Sequence, residues 1–427
     1  MLILNCTSSL LDELDIEKED LIERDQLEKE GDELYHWHAN FFRLERRKCL
    51  LLMNVASRCS IFFYGLKKPD FADIEDLVLQ AVRENFVADR VPQEWIDRYF
   101  AGLSGVGYSK TYSRSVLGCM NDRQNSLEFL LDRVKPELEG RNVVRINKRF
   151  NRTPILSLET SFPLRRLWEK MAERFPPVRP DIYRFRVQLS GIKPPVWRRI
   201  ELPGNYTFWD LHMAIQESMG WENYHLFSFR LPLESENDND TGVSWEGFPE
   251  TLPQPQPQKG LEIGLPQFKT DFDEEIKASW STSISDYFGF GDGECSGGAG
   301  EESECKLTDS VRYVYDFGDH WEHEIELEKI SAGDEDYEMG ELSEEERNRF
   351  GRDFSSRKYP LCTAGSRAAP PEDCGGVGGY EQLLEVLNDP DHPEHERMRA
   401  WAGEDYDPEY FDPEEVEFSN FDEALPP

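Results

Sequence analysis

Short apolar runs alternate with polar breaks at the start of the chain and predict strands. Four segments share this pattern: 1–5, 34–44, 48–55 and 58–65. The last three are separated only by short polar or basic breaks, so they predict an antiparallel meander. Between the first two segments, Ser8 or Ser9 is expected to cap a short helix with acidic early turns.

Two later segments of the first half have the apolar spacing of amphipathic helices, at 69–86 and 124–138. The stretch between them, 102–111, resembles a phosphate-binding loop. The two glycines of that motif would fall on Ser104 and Ser109, however, and no strand is predicted before it. We therefore predict a flexible connector at 102–111 and no nucleotide site.

The second half begins with the pattern of a hairpin followed by a helix. Strand alternation over 182–189 is followed by a proline turn and a second strand, and Thr207 with Asp210 forms a capping pair. Apolar residues then recur at helical spacing up to Gly220, and residues 225–231 predict another strand. This order predicts an α+β fold, with a β-grasp-like hairpin and helix packed on a mixed or antiparallel sheet.

The segment from about 232 to 308 is acidic and rich in Pro, Gly and Ser. Such a composition buries too little apolar surface to offset the entropy lost on ordering. We therefore predict a long flexible insertion outside the core, in which a short helix near 283–290 docks locally.

The composition, 38% hydrophobic and 31% charged, is that of a soluble protein that can bury a core. The charge is uneven, because residues 1–180 carry 28 Lys plus Arg against 29 Asp plus Glu, and residues 181–427 carry 20 against 56. The second part therefore has a net charge of 20 − 56 = −36. This charge repels phosphate backbones, so we expect no direct non-specific nucleic-acid binding, and a basic partner or none.

The charge change and the proline-rich stretch 174–181 predict a domain boundary. The predicted organisation is an N-terminal domain, a linker, a C-terminal domain and a tail, at 1–173, 174–181, 182–420 and 421–427. The eight cysteines include no CxxC pair, and no signal peptide or apolar run of membrane-spanning length is recognised. We therefore expect a cytoplasmic protein with reduced thiols and no membrane association.

The densest cluster of candidate chemical groups is "VYDFGDHWEHEI", residues 314–325. Its alternation around Gly-Asp predicts a β-hairpin, in which His320 and His323 point to opposite faces and cannot share a metal. We favour a structural role, with Asp316 or Asp319 holding the turn and His323 packed beside a tryptophan. A catalytic role for these histidines and aspartates in a cleft is the alternative.

Two other groups could bind metal. His36 and His38 lie on one face of a predicted strand, and a half-exposed strand face is favoured over a metal pair. Glu372 and Asp373 precede a glycine loop, whose amides they could bind, or they could present carboxylates to a cation. Weak metal candidates are His323, Cys362 and Cys374.

Five spaced motifs of the second half resemble the plasmid pRiA4b Orf3-like family. The motifs are "KPPVWRRI" (193–200), "TFWDLHMAIQESMGWENYHLFSF" (207–229), "YDFGDHWEHEI" (315–325), "PPEDCGG" (370–376) and "DPEYFDPEEVE" (407–417). The resemblance implies an uncharacterised bacterial protein with an α+β domain and no settled activity, from a family found on plasmids and mobile elements as well as chromosomes. Ala369 stands where the family often has a cysteine, which weakens a shared cysteine metal site.

The first half resembles a bacterial domain of unknown function, over about residues 1–170. The motifs are "MLILNCT" (1–7), "WHANFFRLERRKC" (37–49), "GLKKPDF" (65–71) and "RSVLGCMND" (114–122). This resemblance implies no activity.

Two functional hypotheses follow. The first is a non-catalytic binding module with a groove for a protein or small-molecule partner. The second is a metal-dependent hydrolase or nuclease, which would require a divalent cation. The candidate pocket residues are Trp197, Arg198, Arg199, His225, Asp316, Asp319, His320, Trp321, His323, Glu372 and Asp373. We favour the first hypothesis because the chain offers no nucleophile with an obvious base.

Overall fold

The structure is a computed structural model that describes residues 1–134, 142–155, 162–232, 260–266, 276–290, 307–333 and 359–419. It contains two β-sheets with helices packed on them, which agrees with the predicted α+β class. Residues up to Phe175 pack around the first sheet and form the N-terminal unit, and residues from Ile182 form the C-terminal unit around the second sheet. Within the described ranges, no helix is both long and apolar enough to cross a membrane.

The first sheet has five strands in the order β4-β3-β2-β1-β5. The strands are β1 (Leu2–Cys6), β2 (His36–Leu44), β3 (Arg47–Asn54), β4 (Ser60–Leu66) and β5 (Val106–Lys110). Strands β2, β3 and β4 form the predicted antiparallel meander, and β1 pairs in parallel with both β2 and β5.

Helices cover both faces of this sheet. They are α1 (Ser8–Leu14), α2 (Arg24–Glu30), α3 (Lys68–Ala72), α4 (Ile74–Ala88), α5 (Gln93–Ala101), α6 (Arg114–Val134), α7 (Val144–Asn151) and α8 (Pro163–Arg174). One face packs against α4, α5 and α8, and the other against α6 and α7. Because both faces are covered, β1 is buried throughout and β3 is buried over its last six residues.

Several expectations for this unit were wrong. The glycine-rich stretch 102–111 contains strand β5, and Thr7 rather than Ser8 or Ser9 is the N-cap residue of α1. Helix α6 begins at Arg114, ten residues before the predicted start. The strand face with His36 and His38 is buried rather than half-exposed, because α6 covers it.

The second sheet has eight strands in the order β10-β9-β8-β11-β12-β6-β7-β13. They are β6 (Ile182–Leu189), β7 (Trp197–Pro203), β8 (Phe227–Pro232), β9 (Gly260–Gly264), β10 (Lys277–Ala278), β11 (Ser310–Tyr315), β12 (Trp321–Ser331) and β13 (Leu361–Ser366). All pairs are antiparallel except β9 with β10. Alternate side chains of β6 and β12 are buried, so one face of the sheet meets the core and the other faces solvent.

Helix α9 (Phe208–Met219) packs on the core face and follows the sequence signals closely. The Thr207 hydroxyl accepts the Asp210 N–H and the Asp210 carboxylate accepts the Thr207 N–H, which completes the predicted capping box. Gly220 ends the helix with φ 76°, a left-handed conformation that suits glycine. Helices α10 (Gly376–Asn388) and α11 (His395–Ala402) complete the unit, with a 3₁₀ turn at Pro413–Glu415.

The described parts of the acidic segment contradict its placement outside the core. Strand β9 pairs with β8, and Ile263 is fully buried. A 3₁₀ turn at Ile284–Asp286 forms where a short helix was predicted, and Phe288 beside it packs in the core. The predicted flexibility concerns mainly residues 233–259, 267–275 and 291–306, which lie outside the described residues.

The two units meet at a buried ion pair. The Arg90 guanidinium, just after α4, donates two hydrogen bonds to the Asp210 carboxylate in the first turn of α9, at 2.9 and 3.2 Å. Both side chains are almost fully buried, and Arg90 also lies over the Tyr206 ring at 4.3 Å. The side-chain amide of Asn205 donates to the Arg90 carbonyl oxygen at 2.7 Å. The cap of α9 is therefore also a contact between the units.

Candidate functional site

The loop after α9 brings His225 to one end of the second sheet. Trp221 inserts into the core, where its indole stacks on Tyr315 at 5.1 Å and donates to the Pro370 carbonyl oxygen at 2.8 Å. Asn223 has φ 58°, and its side-chain oxygen lies 2.7 Å from Nε2 of the buried His212. These contacts fix the part of the loop that directly precedes His225.

The hairpin between β11 and β12 supplies Asp316. As predicted, this aspartate holds the turn, because its Oδ1 accepts the Gly318 N–H at 2.9 Å. Asp316 has φ 54°, and its side chain is 10% exposed. Its second carboxylate oxygen points toward His225.

The loop before α10 supplies Glu372 and Asp373. Glu372 accepts the Tyr315 hydroxyl at 2.6 Å and the Glu222 N–H at 2.7 Å, so it connects this loop to the other two segments. The Gly375 N–H donates to Oδ2 of Asp319 at 2.9 Å. Four of the predicted acids therefore lie at this end of the sheet, and two of them bind backbone amides of neighbouring segments.

Three side chains converge where these segments meet. His225 Nε2 lies 3.1 Å from Oδ1 of Asp373 and 3.6 Å from Oδ2 of Asp316. One potential ligand atom from each residue lies within 4.8 Å of the other two, and this is the one group of three such residues within the described ranges. We call His225, Asp316 and Asp373 the aspartate–histidine cluster.

Each carboxylate of the cluster has one oxygen held by the protein and the other directed at the imidazole. Gly318 N–H holds Oδ1 of Asp316, and the Tyr224 hydroxyl donates to Oδ2 of Asp373 at 2.9 Å. The hydrogen bond to Asp373 raises the pKa of Tyr224 to about 12, because the phenolate would face a carboxylate. The hydroxyl therefore remains a donor across the physiological range.

Two exposed aromatic residues lie next to the cluster in sequence. Tyr224 precedes His225 and Phe317 follows Asp316, and both rings are among the large apolar side chains most exposed to solvent in the described residues. Exposed aromatic residues next to charged groups are typical of recognition surfaces.

Arg198, Trp197 and Arg199 do not join the cluster. Arg198 is buried, stacks on Phe411 at 3.7 Å and donates to carbonyl oxygens, including that of Ser218 at 2.8 Å near the end of α9. Burial lowers the pKa of Arg198 to about 10. Trp197 and Arg199 lie on the solvent-facing side of the sheet, where Arg199 pairs with Glu328.

The remaining candidates also lie apart from the cluster. His323 is fully buried, with Nδ1 3.1 Å from the Trp321 carbonyl oxygen, and burial lowers the pKa of this imidazole to about 3. The His320 side chain is exposed in the turn and lies 3.9 Å from Glu322. Neither histidine belongs to the aspartate–histidine cluster. Cys362 and Cys374 also lie outside it, and within the described ranges they form no other group of three potential metal ligands.

The residues that support the cluster were not evident from the sequence motifs. Tyr224 donates to Asp373 of the cluster, and Tyr315 donates to Glu372 beside it. In the core, His212 joins Asn223 to the Tyr313 hydroxyl, which lies 2.7 Å from its Nδ1. Tyr313 and Tyr315 alternate along the first strand of the predicted hairpin, but no role was predicted for their hydroxyls. A tyrosine hydroxyl that must be satisfied at the end of a strand was the signal available.

Gly376 provides a direct test of how tightly the loop is held against the hairpin turn. It has φ 68°, and a Cβ there would lie 2.4 Å from the Asp319 carbonyl oxygen. We expect Gly376→Ala to lower the free energy of unfolding by about 2 kcal/mol or more, through backbone strain and this contact. Urea unfolding measures the change.

Gly378 is the matched control, because a Cβ at that position meets nothing within 4 Å. Gly378→Ala should leave stability unchanged or raise it by up to about 1 kcal/mol, since alanine is the better helix former. Equal effects of the two substitutions would contradict the close contact at Gly376.

Comparison with known proteins connects both halves to families without a defined activity. Residues 181–415, more than half of the chain, match the family described as plasmid pRiA4b ORF-3-like protein, and residues 3–166 match a domain of unknown function, DUF6933. The chain is 28% identical over 228 residues to the uncharacterized protein y4hQ of Sinorhizobium fredii, covering 53% of this chain and 84% of that protein.

A solved structure is also similar to this chain. It is the crystal structure of the protein of unknown function MM3350 from Methanosarcina mazei Go1, with 36% sequence identity and a TM-score of 0.38, covering 56% of this chain and all of that one. The motifs that carry the predicted family resemblance lie almost entirely within the matched range 181–415, and they include the three segments that form the aspartate–histidine cluster. The chain therefore belongs to the plasmid pRiA4b ORF-3-like protein family.

Proposed function

We propose that the C-terminal unit is a non-catalytic binding module that holds a divalent cation at the aspartate–histidine cluster. The observation that carries this proposal is the convergence of His225, Asp316 and Asp373 from three separate segments. The bound cation would present its open coordination positions to a partner molecule.

The donor set suits a first-row divalent metal ion. Imidazole nitrogen and carboxylate oxygen bind Zn²⁺ and related ions at ~2.0–2.2 Å, so neighbouring ligand atoms lie ~3.0–3.5 Å apart. The distances from His225 Nε2 to the two carboxylates, 3.1 and 3.6 Å, are close to this spacing. The hydrogen bonds that Gly318 and Tyr224 donate to the two carboxylates resemble the outer hydrogen bonds that orient metal ligands in proteins.

The other acids near the cluster already have structural partners, which supports binding over hydrolysis. Glu372 accepts hydrogen bonds from Tyr315 and Glu222, and Asp319 accepts one from Gly375. A general base must instead reach the proton that it removes. The alternative, a metal-dependent hydrolase, would need these groups to leave their partners.

Charge and exposure support a site that attracts cations. The net charge of −36 over residues 181–427 concentrates cations near this half of the chain. The exposed rings of Tyr224 and Phe317 offer apolar contact to a partner that completes the coordination.

Titration calorimetry of the full chain with Mn²⁺ or Zn²⁺ tests the proposal. We expect one tight site in the unmodified protein and a loss of at least tenfold in affinity in His225→Ala and in Asp373→Asn, because each removes a ligand. Tyr224→Phe should weaken binding by about tenfold through loss of the hydrogen bond to Asp373.

Asp391→Asn is the matched control, since it removes an exposed carboxylate elsewhere in the same unit and should leave the tight site intact. Circular dichroism establishes that each variant is folded. Equal affinity in Asp373→Asn and Asp391→Asn would reject the cluster as the site. Metal-dependent cleavage of phosphoester or peptide substrates that is lost in Asp373→Asn would favour the hydrolase instead.

A further inference from the structure

A second group of polar side chains lies in the N-terminal unit, on the sheet face covered by α6. Strand alternation and the parallel register of β1 with β2 place Ile3 and Asn5 beside His36 and His38 on this face. Arg58 comes from the turn between β3 and β4, and its charge acts on both His38 and Tyr112. The Tyr112 hydroxyl lies 3.2 Å from Nδ1 of His36.

Several buried polar atoms of this group have no hydrogen-bond partner within the described part of the chain. They are both ring nitrogens of His38, Nε and Nη1 of Arg58, and Oδ1 of Asn5. His38 is fully buried and Arg58 is 9% exposed. Buried polar groups are nearly always paired in folded proteins, so this concentration marks a candidate site for a bound molecule.

Arg58 is the residue that determines what kind of molecule would bind. Its guanidinium contacts the Cys119 thiol, but it forms no ion pair with an acidic side chain in the described ranges. Glu33 attracts it from a distance, and Arg166 adds a second positive charge. A buried guanidinium without a counter-charge is costly, and an anion would compensate it.

The surrounding groups can donate hydrogen bonds to an anion. Burial first, and then the Arg58 charge, lower the pKa of His38 to about 4, so the imidazole is neutral and carries one N–H. The ring of Tyr112 lies 5.1 Å from that of His38. Metal binding at His38 is disfavoured, because a cation would lie beside Arg58.

A surface pocket of about 260 Å³ borders this group at His36. It is lined by Met1, Ile3, Leu27, Asp32, Tyr35, His36 and Arg174. His36 belongs to both this pocket and the buried group, through its contact with Tyr112. The pocket therefore adjoins the buried group at His36.

We propose that the N-terminal unit binds a small oxyanion, such as a phosphate or a carboxylate, between Arg58, His38 and Tyr112. The guanidinium donates two hydrogen bonds and supplies the counter-charge, and His38 donates a third. A hydroxyl on a protonated phosphate would satisfy Oδ1 of Asn5. This site is independent of the cation site in the C-terminal unit.

Thermal unfolding of the full chain with inorganic phosphate, sulfate or acetate tests the proposal. Phosphate should raise the Tm of the unmodified protein by several degrees more than that of Arg58→Met, which removes the charge while keeping a long side chain. Without anion, Arg58→Met should have the higher Tm, because the uncompensated charge is gone. Arg98→Met removes an exposed arginine on α5 and is the control. Its Tm without anion, and its Tm shift with phosphate, should equal those of the unmodified protein.

The comparison with Arg58→Met is needed because phosphate and sulfate also stabilise proteins by exclusion from the surface. Equal Tm shifts in the unmodified protein and Arg58→Met would overturn the proposal. A selenate soak of crystals of the full chain gives a direct second measurement that does not depend on any variant. Anomalous density beside the Arg58 guanidinium supports the site, and water alone at that position rejects it.

Discussion

Replacing Arg90 with methionine should lower the free energy of unfolding by about 3–5 kcal/mol, because it leaves the Asp210 carboxylate buried without its partner. The pair is almost inaccessible to solvent, so screening by water does not reduce this effect. Urea unfolding followed by circular dichroism and tryptophan fluorescence measures the change. Arg83→Met, which removes a partly exposed arginine earlier on α4, should cost no more than about 0.5 kcal/mol.

The loss of stability caused by Arg90→Met should depend on pH. Burial would raise the pKa of Asp210, but the charges of Arg90 and Lys148 and the hydrogen bonds to the carboxylate together hold this pKa below its usual value. The stability supplied by this carboxylate is fully present above the unfolded pKa of about 3.9 and is lost as the pH falls through the lower folded pKa. The difference in the free energy of unfolding between the unmodified protein and Arg90→Met should therefore become smaller at acidic pH.

A double-mutant cycle separates the energy of the Arg90–Asp210 ion pair from that of the helix cap formed with Thr207. Asp210→Asn keeps a side-chain oxygen for Thr207 but removes the charge, and the cycle with Arg90→Met should give a coupling energy of about 2–3 kcal/mol. Additive effects of the two substitutions would contradict an ion pair between the units.

Replacing Trp221 with alanine should also cost about 3–5 kcal/mol, because it leaves a cavity where three segments of the candidate site meet. The indole stacks on Tyr315, lies edge-on to His323 and donates to Pro370. Its loss should also reduce cation binding at the aspartate–histidine cluster, since the segments that carry the ligands lose their common contact. Chemical unfolding and calorimetry measure the two effects.

Two comparisons test this interpretation. Trp401→Ala removes an exposed tryptophan from α11 and should change stability by no more than about 0.5 kcal/mol. Trp221→Phe keeps the stacking on Tyr315 but loses the hydrogen bond to Pro370, so we expect an intermediate cost. Undiminished cation binding in Trp221→Ala would show that the ligands are positioned without the indole.

Elements with strong local signals were predicted correctly. Helix α9 has a capping box, helical apolar spacing and a glycine stop, and each of these acts within a few residues. The hairpin of β11 and β12 has regular alternation and a turn held by Asp316. In both cases the local preference of the chain agrees with its tertiary surroundings.

Strand β5 was missed because its cause is not local. Its stability comes from parallel pairing with β1, about a hundred residues earlier in the chain. Gly107 interrupts the apolar pattern because a Cβ there would lie 2.6 Å from both Met1 and Ile22. The glycine that suggested a flexible loop lies in a sheet, where the ends of two flexible side chains pack closely against it.

The cluster could be predicted only in part for a similar reason. His225 and Asp373 are 148 residues apart, and three segments must fold before their side chains meet. All three cluster residues were candidates from the sequence, but they were grouped with core and surface residues of the same motifs. Motif density indicates which residues matter to a family, whereas tertiary structure decides which of them share a site.

The edge position of β9 and β10 affects how this protein can be shortened. Strand β9 pairs with β8 through five residues, and β10 follows it at the outer edge. Removing residues 260–278 together with the rest of the acidic segment would expose the backbone N–H and C=O groups along β8, next to the apolar side chains of Phe229 and Leu231. Such an open, apolar edge favours intermolecular strand pairing and aggregation, so part of this acidic segment protects the protein from self-association.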